Sequence, residues 1–254
     1  MWIVVIEVFS IEQVWPDLIE YCLSGHLCVS RWRAIMGSRT RYQVRAMSQA
    51  PRRALIVIDV QNEYVSGNLL IEYPPVSESL ANIGMAIDAA NAAGIPVVVV
   101  QNDAPATSPL FAIGSPGWEL HSVVASRRHE HRVNKTLPSA FAGTDLAQWL
   151  AQHEIDTLSV VGYMTHNCNA STVFEATHRG LAVEFLSDAT GSLPYANEAG
   201  QASAEEIHRV FSVVFHSRFA AVVSTAQWLS AVAQGVSLSR SSIPASNQQA
   251  RQQP

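Results

Sequence analysis

From Ala54 onward, short apolar runs alternate with longer segments in which apolar residues recur every three or four positions. The runs are Ala54–Ile58, Val97–Val100, Val133–Thr136, Thr157–Val161, Ala182–Leu186 and Ala220–Ser224, each of strand length. A near-continuous apolar run of this kind belongs to a strand covered on both faces. Between them, Ser77–Ala93 places Leu80, Ile83, Ile87 and Ala90 on one helical face, with Gly94 as the stop and Pro96 before the next strand. Further helices are predicted over about Asp145–His153, after the turn at Gly162, over Ser203–Phe215, and over Thr225–Ala233. Strand and helix in alternation predict an α/β fold, a three-layer Rossmann-like sandwich with a mainly parallel six-stranded sheet and helices on both faces.

Three stretches fall outside that rhythm. Residues 1–46, with Trp15, Trp32 and the basic run Arg31–Arg45, read as an N-terminal extension that is poorly ordered or lies upstream of the true start, since Met47-Ser-Gln-Ala-Pro suits a natural beginning. Residues 47–234 carry the domain. Residues 235–254 turn to Ser, Gln and Asn and read as a disordered polar tail. Within the domain, the connection from Gln101 to Arg132 is longer than a tight loop needs, and such loops serve as covers or binding elements.

With 48% hydrophobic and 15% charged residues in 254, one substantial core is expected. A formal net charge of -5 excludes a general nucleic-acid surface. No apolar run reaches the roughly 18 residues that span a bilayer. Cys22, Cys28 and Cys168 cannot form a disulfide framework, and Cys22 and Cys28 have no His or Cys cluster to complete a metal site. These features predict a soluble, cytoplasmic protein.

The chemistry gathers around Gly162-Tyr-Met-Thr-His-Asn-Cys168. A thiol in the first turn of a helix that follows a buried strand meets unpaired N–H groups and a partial positive charge, which lower its pKa and can bind an oxyanion. An isolated cysteine is more often a small core hydrophobe. Thr165, His166, Asn167 and Asn169 make these surroundings polar, which favours a nucleophile. Asp59 and Lys135 also stand at or just beyond strand ends, and in parallel sheets ligands bind at the carboxyl ends of strands near a topological switch point.

Asp59 in Ile-Asp-Val-Gln-Asn-Glu-Tyr, Lys135 in Asn-Lys-Thr-Leu-Pro-Ser-Ala-Phe and Cys168 in Gly-Tyr-Met-Thr-His-Asn-Cys, in that order, resemble the isochorismatase-like cysteine hydrolases, which include nicotinamidases, N-carbamoylsarcosine amidohydrolases and ureidoacrylate amidohydrolases. The resemblance runs from about Arg53 to Val232. It implies an Asp59–Lys135–Cys168 triad and a cis peptide between Tyr163 and Met164 that aims the Met164 and Cys168 N–H groups at an oxyanion. It also implies a small-molecule amide-type substrate and a homo-oligomer, dimer or tetramer. Metal-dependent nicotinamidases carry Asp-x-His after the second strand, where this chain has Asn102 and Ala104, with Asp103 and His121 nearby, so neither metal nor cofactor is expected. True isochorismatases cleave a vinyl ether and need no thiol, so its presence favours C–N hydrolysis. A nicotinamidase-type enzyme, an isochorismatase and a non-catalytic binding or assembly module are the competing readings.

Around the triad, Gln61, Tyr64, Trp118, Phe141 and His166 are candidate substrate-binding residues. His121 and Tyr195 are further wall residues of an apolar, aromatic cavity. Gln61 and Asn62 serve equally well as structural hydrogen-bonding groups. His178, His208 and His216 read as surface or interface residues, and the charged run 127–132 as a solvated or subunit-facing segment.

Overall fold

A computed structural model describes residues 50–252, so the expectation for residues 1–46 lies outside the described residues. The main sheet contains β1 (Arg53–Ile58), β2 (Val97–Asn102), β3 (His131–Lys135), β4 (Thr157–Tyr163), β5 (Ala182–Gly191) and β8 (Ala221–Val223). Its order is β3-β2-β1-β4-β5-β8, and every pairing is parallel. The strand order reverses at β1, so the crevice between the carboxyl ends of β1 and β4 is the switch point.

The apolar run of β1 is continuous because its two faces feed different cores. Leu55 and Val57 pack in one cluster with Ile83 and Ile87 of α1 (Val76–Ala92) and Trp228 of α6 (Thr225–Gln234). Ala54, Ile56 and Ile58 pack in the other with Leu150 of α3 (Leu146–Gln152) and Val173 of α4 (Ala170–His178). This is the three-layer arrangement that the alternation predicts. The helix α5 (Ala204–Val214) starts on a capping box between Ser203 and Glu206, and α6 on one between Ser224 and Gln227.

Several elements differ from the sequence reading. The strand β5 runs to Gly191, well beyond Leu186, and its register against β4 shifts between Val160 and Gly162. A short antiparallel pair, β6 (Tyr195–Asn197) with β7 (Gly200–Ala202), occupies a stretch with no apolar alternation to announce it. The long connection carries the one-turn α2 (Ser122–Ala125) and isolated bridges between Ala104 and Ala112 and between Leu120 and Gln61. The tail is not without structure: Ile243–Gln252 is a helix, α7, with no buried residue. Low hydrophobicity predicted disorder, but Ser242 Oγ accepts from Ala245 N–H as an N-cap, and Ala and Gln follow as good helix formers. Among the described residues, no helix is long and apolar enough to cross a membrane.

At the switch point the chains of β1 and β4 approach so closely that only glycine fits. Gly162 has φ +101, and a Cβ there would collide with the Ile58 carbonyl oxygen and lie 2.8 Å from the Ile58 nitrogen. Gly162→Ala is therefore expected to cost about 3 kcal/mol or more through clash and a disallowed backbone. Urea denaturation reads this directly, and an unchanged midpoint would contradict the close approach.

Candidate active site

Three polar side chains reach the crevice from the carboxyl ends of β1, β3 and β4. Asp59 follows β1 with φ 50, a left-handed conformation that Asp tolerates better than most side chains. Its N–H donates to the Val100 carbonyl, and its own carbonyl accepts from Gln61 N–H, which fixes the bend at the strand end. Lys135 is the last residue of β3. Cys168 lies in a π-helical turn, Thr165–Asn169, between β4 and α4, and the Tyr163–Met164 peptide before that turn is cis.

The three side chains meet in the interior. Lys135 Nζ lies 2.7 Å from Asp59 Oδ2 and donates to Cys168 Sγ at 3.4 Å. Asp59, Lys135 and Cys168 are only 0%, 2% and 6% exposed. The Lys135–Asp59 contact is a close buried ion pair, and the Asp59 carboxylate also faces the Cys168 thiol.

Burial decides the electrostatics. It pushes the Asp59 carboxyl up, and Lys135 offsets this only in part. Burial alone would lower the Lys135 ammonium, but Asp59 and then Cys168 outweigh it and hold the ammonium above its ordinary value. Burial also pushes the Cys168 thiol up, Asp59 adds to this, and Lys135 offsets part of it. The sequence reading expected a helix terminus to lower this pKa. The thiol is instead enclosed in a tight π turn, where loss of water outweighs the backbone dipoles. Burial therefore favours a neutral Cys168 thiol beside a protonated Lys135. Alkylation of Cys168 by a neutral reagent is accordingly expected to be slow at pH 7 and to accelerate steadily toward pH 10, read by peptide mass spectrometry. Fast labelling at pH 7 that saturates below pH 8 would contradict this state.

The turn bearing Cys168 is tied to the loop after Lys135. Buried Thr172 Oγ1 donates to the Cys168 carbonyl at 2.8 Å and accepts from Ala140 N–H at 3.0 Å. On the same loop, Ser139 Oγ hydrogen-bonds Glu175, which also pairs with Arg179. Arg179 in turn lies over the Phe141 ring at 4.9 Å. Asn169 Nδ2 donates to the Gly162 carbonyl at 2.8 Å and closes the turn from within.

The five candidate wall residues separate into two groups. Tyr64 is buried against Phe111 and Tyr163, with centroids 5.2 and 5.6 Å away, and its phenol is pushed up first by burial and then by Cys168 and Asp59. Phe141 is buried in the same cluster as Cys168. His166 sits in the turn bearing Cys168, with Nδ1 3.2 Å from Ser192 Oγ, its ring edge-on to Tyr195, and a buried Nε2 without a partner among the described residues. Burial lowers its pKa to about 4, so the imidazole is neutral at pH 7. Gln61 and Trp118, by contrast, are engaged elsewhere. The Gln61 amide bonds the Asn102 backbone on both sides and the Trp118 carbonyl, while the Trp118 indole donates to Asp103 Oδ1 at 2.7 Å. Both brace the long connection onto β1 and β2.

His208 departs from its expected surface place: it is buried, with Nδ1 2.9 Å from Thr165 Oγ1. Asn102 is the site residue the sequence reading passed over. Its Oδ1 accepts from Lys135 Nζ at 3.3 Å, and the only signal for this was its neighbourhood to the second strand end. The residues near the end of the second strand where the sequence reading looked for a cation are engaged in hydrogen bonds of their own. Both oxygens of Asp103 accept from Asn134 Nδ2, and His121 Nδ1 accepts from Val123 N–H. Among the described residues, no cluster of three or more His, Cys, Asp or Glu side chains could hold a metal ion.

Comparison with known proteins bears on the fold and the family. Residues 53–227 match the isochorismatase domain model. The crystal structure of a Burkholderia xenovorans LB400 protein, provisionally assigned as an isochorismatase, superposes with a TM-score of 0.79 at 70% identity, over 80% of this chain and 97% of that one. Streptothricin hydrolase of Streptomyces noursei is 36% identical over 179 residues, which is 68% of each chain. Ureidoacrylate amidohydrolase of Methylobacterium radiotolerans is 28% identical over 211 residues, 70% of this chain and 78% of its own. The domain match takes in every strand of the parallel sheet together with Asp59, Lys135 and Cys168, and the chain belongs to the isochorismatase family of hydrolases.

Proposed function

We propose that this hydrolase is a metal-independent cysteine amidohydrolase that cleaves a C–N bond of a small amide, ureido or carbamoyl compound through a thioester. The observation that carries this reading is the Lys135 ammonium held between Asp59 Oδ2 and Cys168 Sγ inside the crevice. A cation between a base and a thiol stabilises either distribution of their single proton, so the proton can move without a change in net charge.

In this mechanism Asp59 takes the thiol proton as Sγ adds to the substrate carbonyl carbon. The resulting oxyanion is held by the N–H groups of Met164 and Cys168. Asp59 then gives its proton to the departing nitrogen, the C–N bond breaks, and a thioester remains. Water adds to the thioester while Asp59 takes its proton. The C–S bond breaks, acid is released, and the proton returns from Asp59 to sulfur. Tyr64, Phe141 and His166 supply an aromatic wall with one neutral imidazole. The names of the two hydrolase relatives support C–N chemistry, and Asp103 and His121, bound to their own neighbours, support a mechanism without a metal step.

The test is hydrolysis by chelator-treated protein of a panel containing carboxamides, ureido acids, carbamoyl amino acids, nicotinamide and isochorismate. Release of ammonia or amine, with an acyl adduct on Cys168 caught by rapid acid quench and mass spectrometry, is the expected result. Turnover of isochorismate alone, or turnover only after a divalent metal is added, would overturn the reading.

A further inference from the structure

The Lys135 ammonium has three N–H bonds, and three acceptors surround it. Two are the proposed catalytic partners, Asp59 Oδ2 and Cys168 Sγ; the third is the amide oxygen of Asn102 at 3.3 Å. Asn102 is opposite Lys135 in the β2–β3 register, so its backbone position is set by the sheet. Its peptide groups are set a second time by Gln61, whose Oε1 accepts from Asn102 N–H at 2.9 Å and whose Nε2 donates to the Asn102 carbonyl at 3.0 Å. Gln61 is fully buried, and its own N–H donates to the Asp59 carbonyl at 2.8 Å. The segment bearing the base therefore grips the residue that orients the cation.

We propose that Asn102, clamped by Gln61, is a positioning residue for the cysteine chemistry: its uncharged amide oxygen takes the third ammonium N–H and keeps the other two directed at Asp59 and Cys168. The role depends on neutrality as much as on geometry. Asp59, Lys135 and a neutral thiol sum to zero charge, and so do protonated Asp59, Lys135 and a thiolate. An isosteric carboxylate at 102 would add a second anion beside the cation, pull the ammonium from sulfur, and disfavour the thiolate. The other titratable groups around the site are Asp103, which acts on Asp59, Tyr64 and Tyr195, which sense Cys168, and His166 on the nucleophile turn. Asp103 is already held by Trp118 and Asn134, so Asn102 is the group on β2 that reaches Lys135.

The inference deepens the amidohydrolase reading, but its first readout needs no substrate. Rates of Cys168 alkylation by iodoacetamide are measured from pH 6 to pH 10 on the full chain and on Asn102→Asp and Asn102→Leu, with thermal unfolding to show that each is folded. Asn102→Asp is expected to move the alkylation profile alkaline by about one pH unit or more and to slow labelling at pH 7.5 by about tenfold. Asn102→Leu, which changes no charge, is expected to lower kcat about tenfold on any panel substrate while KM changes less than about twofold, because the lost bond is to the ammonium. A profile for Asn102→Asp that superimposes on wild type, or a leucine variant altered in KM alone, would overturn the assignment. A shifted profile in a protein that hydrolyses nothing on the panel would uphold the positioning role while defeating the amidohydrolase reading.

Discussion

Cys168→Ala is expected to lower hydrolysis by at least about 10⁴-fold while the protein remains folded. The proposed thioester path has no substitute for sulfur, and without that nucleophile only substrate binding and oxyanion stabilisation would remain. Stability should change little, by about 1 kcal/mol, because the substitution removes one small buried atom from a large cluster that also holds Phe141, Val160, Ala170 and Val173. Cys168→Ser should not restore the rate. A serine hydroxyl is far less acidic than a thiol, and a site whose burial already pushes the thiol up would hold the hydroxyl proton more firmly still. The measurement is kcat on a panel substrate beside the thermal midpoint of each variant. Residual activity above about one per cent in the alanine variant would remove Cys168 from the role of nucleophile.

What the sequence made legible here follows from the physics that leaves a pattern. Continuous runs such as Ala54–Ile58 marked strands covered on both faces, and the two core clusters fed by alternate residues of β1 are that pattern realised. The placement of Asp59, Lys135 and Cys168 at or just beyond strand carboxyl ends followed once the sheet was taken as parallel, since strand ends on one edge converge. Other features depend on quantities that no local pattern encodes. Asn102 faces Lys135 because of the β2–β3 register, and Gln61 braces a loop because that loop returns to within 3 Å of it. The direction of the thiol pKa was misjudged for the same reason. Helix position is visible in a sequence, whereas the depth at which the turn is buried is a property of the packed whole. The buried network of Arg53, Glu184, Ser159 and Trp228, drawn from four separated segments, was equally invisible.

Lys135→Ala is expected to reduce hydrolysis by about 10³-fold or more, with a stability loss that depends on pH. Removing one partner of a buried ion pair strands the other, at a cost of about 3–5 kcal/mol when the survivor stays charged. Asp59 escapes that cost by taking up a proton. Its folded pKa, already raised by burial, loses the opposing effect of Lys135 and rises further above the unfolded value near 4. The folded variant then binds more protons than the unfolded chain across this window, so its stability declines as pH rises. The deficit relative to wild type should be small near pH 4 and grow toward pH 7, as thermal midpoints on both proteins will show. Cys168 alkylation in this variant should also slow, because the ammonium that offsets burial of the thiol is gone. Asp59→Asn provides the opposite sign. It removes the anion that helps push the thiol up, so labelling at pH 7 should quicken even as turnover fails for want of a proton shuttle. Slower labelling without the lysine and faster labelling without the carboxylate are what the opposite charges of Lys135 and Asp59 beside the thiol demand; equal labelling in both variants would show that the three side chains do not act as one unit.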